Sequence, residues 1–197
     1  MQQECVWAQD TCVNQESFPM NSSPNESKAR TAILEAYNRL VFKTEGHELR
    51  VADIVREADV GRSTFYEHFA NADSVFQEAI AVPFRIFASA SLEKDYPRLE
   101  AMLSHFAEQT IRARTLFMNA RIRDQMVNVL AHEYELLLTL DVAFEQERQW
   151  CALQLSEANL AMVRQWIDGK LVVDVTRLAQ WITKCTEQIQ DVVKFSN

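Results

Sequence analysis

Glycine and proline are scarce in this chain, and their scarcity limits the folds open to it more than any other feature does. Only 3 glycines and 4 prolines occur in 197 residues. Sheets require tight turns more often than long helices do, and tight turns depend on these two residue types. Because 48% of the residues are hydrophobic, the chain can still bury a core. We therefore predict an all-α protein.

The same scarcity excludes several classes of enzyme. Gly46, Gly61 and Gly169 are too far apart to form a phosphate-binding loop, a dinucleotide fingerprint or a Gly-x-Ser-x-Gly elbow. The 4 cysteines form no C-x-x-C pair, and the histidines lack the spacing of zinc ligands. We predict that the protein is not an enzyme and has no cofactor and no metal site.

Charge and hydropathy indicate the compartment and the kind of partner. The net charge of -8 argues against simple coating of nucleic acid, although a small local DNA-binding surface remains compatible with it. The N-terminus lacks the features of a signal peptide, and no apolar run approaches the length of a membrane span. We expect a cytoplasmic protein without a membrane partner.

Composition and periodicity divide the chain into three parts. Residues 1–26 are polar and aperiodic, which predicts a flexible tail. Met20 offers a shorter start, so the sequence leaves open whether residues 1–19 belong to the native protein. Residues 27–75 contain a helix-turn-helix pattern, and residues 76–197 are helical almost throughout.

Three helices are predicted in the N-terminal part. The first begins near Ser27 and ends at Gly46, the second spans about Val51–Ala58, and the third spans about Arg62–Phe69. Asp59-Val60-Gly61 forms the tight turn between the second and the third. After a break, Asn71 or Asp73 can cap a fourth helix.

The C-terminal part is predicted to contain long helices. Pro83 should kink or interrupt the fourth helix, and Pro97 is placed to begin the next. A helix should end at Asp168-Gly169-Lys170, and the last helix should follow Asp174. This last helix carries an apolar stripe of Val175, Leu178, Ala179, Ile182, Cys185, Ile189, Val192 and Val193.

The apolar stripe and a second amphipathic helix at about Cys151–Asp168 suggest an interface between two copies of the chain. The alternative is that the stripe packs only within its own chain. Inward-facing side chains of such a bundle can also line a ligand pocket, although core packing explains most of them equally well. The candidate pocket residues are His105, Phe106, Phe117, Met126 and Trp150.

The third helix carries the residues that point to function. Phe65 and Phe69 lie four positions apart and define a buried side, so the opposite side faces solvent and can enter a DNA major groove. Short hydroxyl side chains permit close approach, and an arginine can reach a guanine edge or a phosphate. The candidate DNA-binding residues are Arg50, Val51, Arg62, Ser63, Thr64, Tyr66, Glu67 and His68.

The stretch Val51–Phe69 resembles the DNA-binding motif of the tetracycline-repressor-like (TetR) family. The run Val60-Gly61-Arg62-Ser63-Thr64-Phe65-Tyr66 with His68-Phe69 is especially similar, and the clear resemblance covers about residues 28–80. A weaker similarity at Gln165–Gly169 matches the join between the family's two dimerisation helices.

The resemblance implies a helix-turn-helix domain followed by a helical ligand-binding and dimerisation domain. It also implies a homodimer that binds a roughly palindromic double-stranded operator and responds to a small-molecule effector. Repression is the expected direction of control. Two DNA-binding domains on a two-fold axis would meet major grooves about 34–36 Å apart, or a multiple of that.

Three residues depart from the family pattern. Arg50 stands where the family has Thr or Ser, Asp59 where it has Gly, and Ala72 where it has Lys. Asp tolerates a left-handed backbone, so the turn at Asp59 can survive, and Arg50 can still reach a phosphate. Ala72 and the acidic balance of the domain favour an alternative. Residues 27–80 carry seven Lys and Arg against nine Asp and Glu, a balance of -2. This predicts modest, salt-sensitive DNA binding. The alternative is a helical ligand-binding or protein-interaction module with a vestigial DNA-binding domain.

Overall fold

The structure is a computed structural model that describes residues 24–41, 49–138 and 145–194. Within these ranges the chain is all-α, as predicted, and contains no β-strand. The helices are α1 (Pro24–Val41), α2 (Val51–Ala58), α3 (Arg62–His68), α4 (Ala72–Glu93), α5 (Tyr96–Glu108), α6 (Thr110–Met118), α7 (Ala120–Leu137), α8 (Glu145–Ile167) and α9 (Val175–Lys194).

Helix α1 begins earlier than the sequence predicted. Pro24 is its first residue, so residues 24–26 belong to the helix and not to the N-terminal tail. Proline is well suited to this place because the first helical residue needs no hydrogen-bonded N–H. The rest of the predicted tail, and the helix end predicted at Gly46, lie outside the described residues.

The chain divides into two compact units, with the division after Ala79. The first unit contains α1, α2, α3 and the start of α4. Helix α1 packs against both α2 and α3. Ile33 from α1, Ile54 from α2 and Phe65 from α3 are each fully buried. Two short helices bury little surface alone, so α1 supplies the apolar face that they require.

The second unit is a helical bundle. Helix α8 packs against α7 and α9, α5 packs against α9, and α6 packs against α7 and α8. Its core is aliphatic, with Leu99, Leu103, Leu130 and Leu155 fully buried.

A polar cluster lies inside this aliphatic core. The Tyr134 hydroxyl is 2.7 Å from the Ser91 Oγ, and the Asn159 Nδ2 donates to Tyr134 at 2.8 Å and to Thr186 at 3.2 Å. Burial raises the pKa of Tyr134 to about 12. The cluster links α4, α7, α8 and α9, and the sequence analysis did not identify it.

Three helix caps occur where the sequence places suitable residues. Asn71 accepts a hydrogen bond from the Ser74 N–H at 2.9 Å at the start of α4. Asp95 and Asp174 accept from backbone N–H groups at the starts of α5 and α9. Pro97 is the second residue of α5, one position later than predicted.

Pro83 does not interrupt α4, which continues from Ala72 to Glu93. The sequence analysis allowed a kink or an interruption, and the interruption is wrong. Proline removes one helical hydrogen bond, but Val75 and Phe76 before it and Phe84 and Phe87 after it are all buried. Apolar packing before and after Pro83 therefore keeps α4 continuous although one backbone hydrogen bond is missing.

Among the described helices, α4 has the length and apolar composition that a membrane span would also need, with a window hydropathy of 1.2. The sequence analysis expected no apolar run of nearly the length of a membrane span, and α4 is an exception to that expectation. The feature is weak evidence for a span, because the core helix of a globular domain passes the same test.

The apolar stripe of α9 packs largely within its own chain. Leu178, Ala179 and Ile182 have no exposed surface. The alternative, that the stripe packs within its own chain, therefore accounts for its centre. These three buried side chains have no surface left to contact a second copy of the chain. Elsewhere on the stripe Val175, Cys185 and Ile189 are half-buried, and Trp181 of the same helix is exposed.

Candidate DNA-binding site

Helix α2 is the helix that the sequence predicted before the turn of the motif. Its observed bounds, Val51–Ala58, are the predicted ones, and Ile54 and Val55 form its buried side. Arg50 is the N-cap and makes no side-chain capping bond. Its backbone carbonyl accepts from the Asp53 and Ile54 N–H groups, so the helix begins without the usual hydroxyl cap.

Asp59 makes the turn between α2 and α3. Its φ of 53° and ψ of 45° place it in the left-handed region, where Asp is tolerated better than most residues. The Val60 N–H then bonds the Val55 carbonyl at 3.1 Å. The turn therefore survives the replacement of the family's usual glycine, as the sequence analysis expected.

Phe65 and Phe69 anchor α3 to the domain. Phe65 is fully buried and Phe69 is 4% exposed, with ring centroids 6.0 Å apart. The Arg30 guanidinium lies 5.8 Å from the Phe69 ring centroid and also bonds Glu78 at 2.6 Å. These contacts fix the rotation of α3 about its axis and thereby determine which of its side chains face solvent.

The opposite side of α3 is open. Tyr66 is 59% exposed, and its ring lies perpendicular to that of Phe65 with the ring centroids 5.4 Å apart. Burial differs among the eight candidate DNA-binding residues. Arg50, Arg62, Ser63, Tyr66 and Glu67 are exposed, whereas Val51, Thr64 and His68 are half-buried.

Most arginines of this unit are already paired with carboxylates. The Arg39 Nε bonds Glu57 at 2.8 Å, and Arg56 bonds Asp53 at 2.6 Å. Surface pairs of this kind add little stability, but they reduce the positive charge available to a phosphate. Among the described arginines of the unit, Arg50 and Arg62 remain exposed without a carboxylate partner.

The candidate pocket residues lie in different surroundings within the second unit. Phe117 and Met126 are buried, and His105 and Phe106 are half-buried. Burial lowers the pKa of His105. Trp150 is 51% exposed and therefore differs from the other four. No group of three or more metal-ligating side chains occurs in the ranges that the structure describes.

Comparison with known proteins identifies the N-terminal unit. Residues 33–79 match the family described as bacterial regulatory proteins, tetR family. The N-terminal unit therefore carries a TetR-family DNA-binding domain. This confirms the resemblance drawn from Val60–Phe69 and supports a role as a transcriptional regulator.

One solved structure supports the fold, and a second is similar over most of its length. A TetR transcriptional regulator from Streptococcus agalactiae 2603V is 20% identical, with a TM-score of 0.51 over 82% of this chain and 95% of its own. The dihydroxyacetone kinase operon activator DhaS is 17% identical, with a TM-score of 0.43 over 85% of this chain and 97% of its own. No curated protein matches the chain.

Proposed function

We propose that this TetR-family chain is a ligand-responsive repressor that binds a specific operator as a homodimer in the cytoplasm. Residues 27–75 would be its DNA-binding domain, and residues 76–197 its ligand-binding and dimerisation domain. One observation carries the proposal: α3 buries Phe65 against its domain and leaves Arg62, Ser63 and Tyr66 exposed.

The exposed residues suit distinct roles in a groove. Arg62 suits a guanine edge or a phosphate, and Tyr66 suits a phosphate through its hydroxyl. Arg50 at the start of α2 adds a second cation for the backbone. Half-buried Thr64 and His68 suit positions at the edge of the contact, and Val51 offers an apolar contact beside Arg50.

Titration of the upstream region of the chain's own gene tests DNA binding directly. We expect Arg62→Ala and Tyr66→Phe to weaken binding by about tenfold or more, because each removes one contact to DNA. Arg98→Ala and Tyr96→Phe are matched controls, since both residues are exposed in the second unit. Equal, weak binding by the wild type and all variants would contradict the proposal.

The homodimer is supported by exposed apolar side chains on α8 and α9. Leu153 is 40% exposed and Trp181 is 36% exposed, outside the part of the α9 stripe that is already buried. Light scattering should give twice the chain mass of 22.8 kDa. Leu153→Arg should shift the protein toward monomer. Ile111→Arg, at an exposed position of α6, should not. A wild-type monomer at micromolar concentration would contradict the dimer.

The effector is proposed to bind among His105, Phe106, Phe117 and Met126. These residues come from α5, α6 and α7 and are buried or half-buried, as an apolar ligand would require. Trp150 fits this role less well because half of it is exposed. Such a ligand controls DNA binding only if it favours one arrangement of the dimer over another.

The alternative, a vestigial DNA-binding domain on an effector or protein-binding module, has one observation in its favour. Arg30, Arg39 and Arg56 are paired with carboxylates, so few cations remain for phosphates. Salt-dependent retardation of DNA separates the two proposals, because a vestigial domain would show no saturable, salt-sensitive complex.

A further inference from the structure

An acidic side chain occupies the centre of the exposed side of α3. A helix turns by about 100° per residue, so Glu67, two residues after the buried Phe65, lies about 160° from it around the helix axis. Ser63 precedes Glu67 by one turn on the same side, and both residues are exposed. The sequence analysis listed Glu67 among the candidate DNA-binding residues, and burial of Phe65 places it on the side opposite the core.

No neighbouring charge neutralises this carboxylate. One turn earlier in α3 stand Ser63 and Thr64, neither of them cationic, and α3 ends at His68, before another turn is complete. Within the part of the chain that the structure describes, Glu67 makes no ion pair and no side-chain hydrogen bond.

Other acidic side chains of the same unit behave differently. Asp53, Glu57 and Glu78 each bond an arginine. Pairing is therefore the usual arrangement for a carboxylate in this unit, and the one carboxylate at the centre of the proposed DNA-contacting side departs from it.

A carboxylate in the major groove can have few favourable partners. It repels phosphates, and it also repels the acceptor atoms of guanine (O6 and N7) and of thymine (O4). Cytosine and adenine each present an amino donor there, but adenine N6 lies beside the acceptor N7, which repels a carboxylate. Cytosine N4 has no such neighbour, so Glu is the side chain suited to accept its hydrogen bond. Contact with the wrong base would leave the carboxylate desolvated and unpaired, which penalises that base.

We propose that Glu67 reads a cytosine in each half of the operator by accepting a hydrogen bond from its N4 amino group. The inference rests on the proposed function, because it requires α3 to lie in a major groove. Arg62 and Arg50 then supply attraction to DNA, while Glu67 supplies discrimination between base pairs.

Selection from a random duplex library tests the inference with the full chain. The wild type should enrich sites with one fixed cytosine per half-site. Glu67→Ala should lose the preference at that position and keep the others. Glu67→Gln should shift it toward adenine, because an amide pairs with adenine N6 and N7. Glu93→Gln removes an equal charge at an exposed position of the second unit and should change nothing.

Direct titration makes the result quantitative. Replacing the selected cytosine should weaken wild-type binding by about tenfold and Glu67→Ala binding by less than about twofold. Thermal melting should be unchanged in both variants, because Glu67 is exposed.

Two failures are distinguishable. If the wild type enriches a site but both Glu67 variants enrich the same bases, this inference is wrong and the proposed function stands. If the wild type enriches no site, the proposed function fails, and the role of Glu67 fails with it.

Discussion

Asp59 shows how one residue can preserve a turn that usually requires glycine. Its φ of 53° costs little for Asp, whose short side chain tolerates the left-handed region, but it would cost a β-branched residue more. The neighbouring Gly61 has a φ of -71° and therefore does not depend on being glycine.

We predict that Asp59→Gly raises the free energy of unfolding by up to about 1 kcal/mol and that Asp59→Val lowers it by about 1–2 kcal/mol. Chemical denaturation measures both changes. Gln77→Gly, at an exposed position inside α4, is the control and should destabilise by about 1 kcal/mol. A destabilised Asp59→Gly variant would contradict the left-handed turn.

At the scale of helices, the polar cluster around Tyr134 joins four elements. Ser91 donates to the Ala88 carbonyl and Thr186 donates to the Ile182 carbonyl. Tyr134 must then donate to Ser91 and accept from Asn159. Each hydroxyl of the cluster therefore has a fixed direction, and the loss of one leaves a buried group without its partner.

Tyr134→Phe should lower the free energy of unfolding by about 1–3 kcal/mol, because one N–H of Asn159 then has no acceptor. Thermal or denaturant melts measure the change. Tyr96→Phe removes a hydroxyl from an exposed side chain and should have almost no effect. Equal stability of the Tyr134→Phe variant and the wild type would show that the cluster does not constrain the bundle.

The sequence predicted helices well where local signals mark their ends. Asp59 and Gly61 bound α2 and α3, and Asp95 and Asp174 cap later helices. The breaks at Gln109 and Asn119 were not predicted. Gln109 makes no side-chain capping bond, whereas Asn119 caps α7 by accepting from the Ile122 N–H, a signal that the sequence analysis overlooked. The Tyr134 cluster could not be predicted either, since it depends on which helices meet.

At the scale of the molecule, the exposed side of α3 was predictable from the sequence, whereas the surface open to a second copy of the chain was not. Phe65 and Phe69 determine the exposed side of α3 through local spacing alone. The apolar stripe of α9 gave a misleading signal, because periodicity cannot distinguish a face buried within the chain from one buried against a partner. Burial of Leu178 and Ile182 resolves this for the centre of the stripe.

The central claim is that the exposed side of α3 enters the major groove. Dimethyl sulfate methylates guanine N7 in that groove, so protection from it measures occupancy directly. The account predicts two protected patches whose centres lie about 34–36 Å apart, or a multiple of that, and which Arg62→Ala removes. A bound wild type that leaves every guanine N7 reactive would contradict the claim.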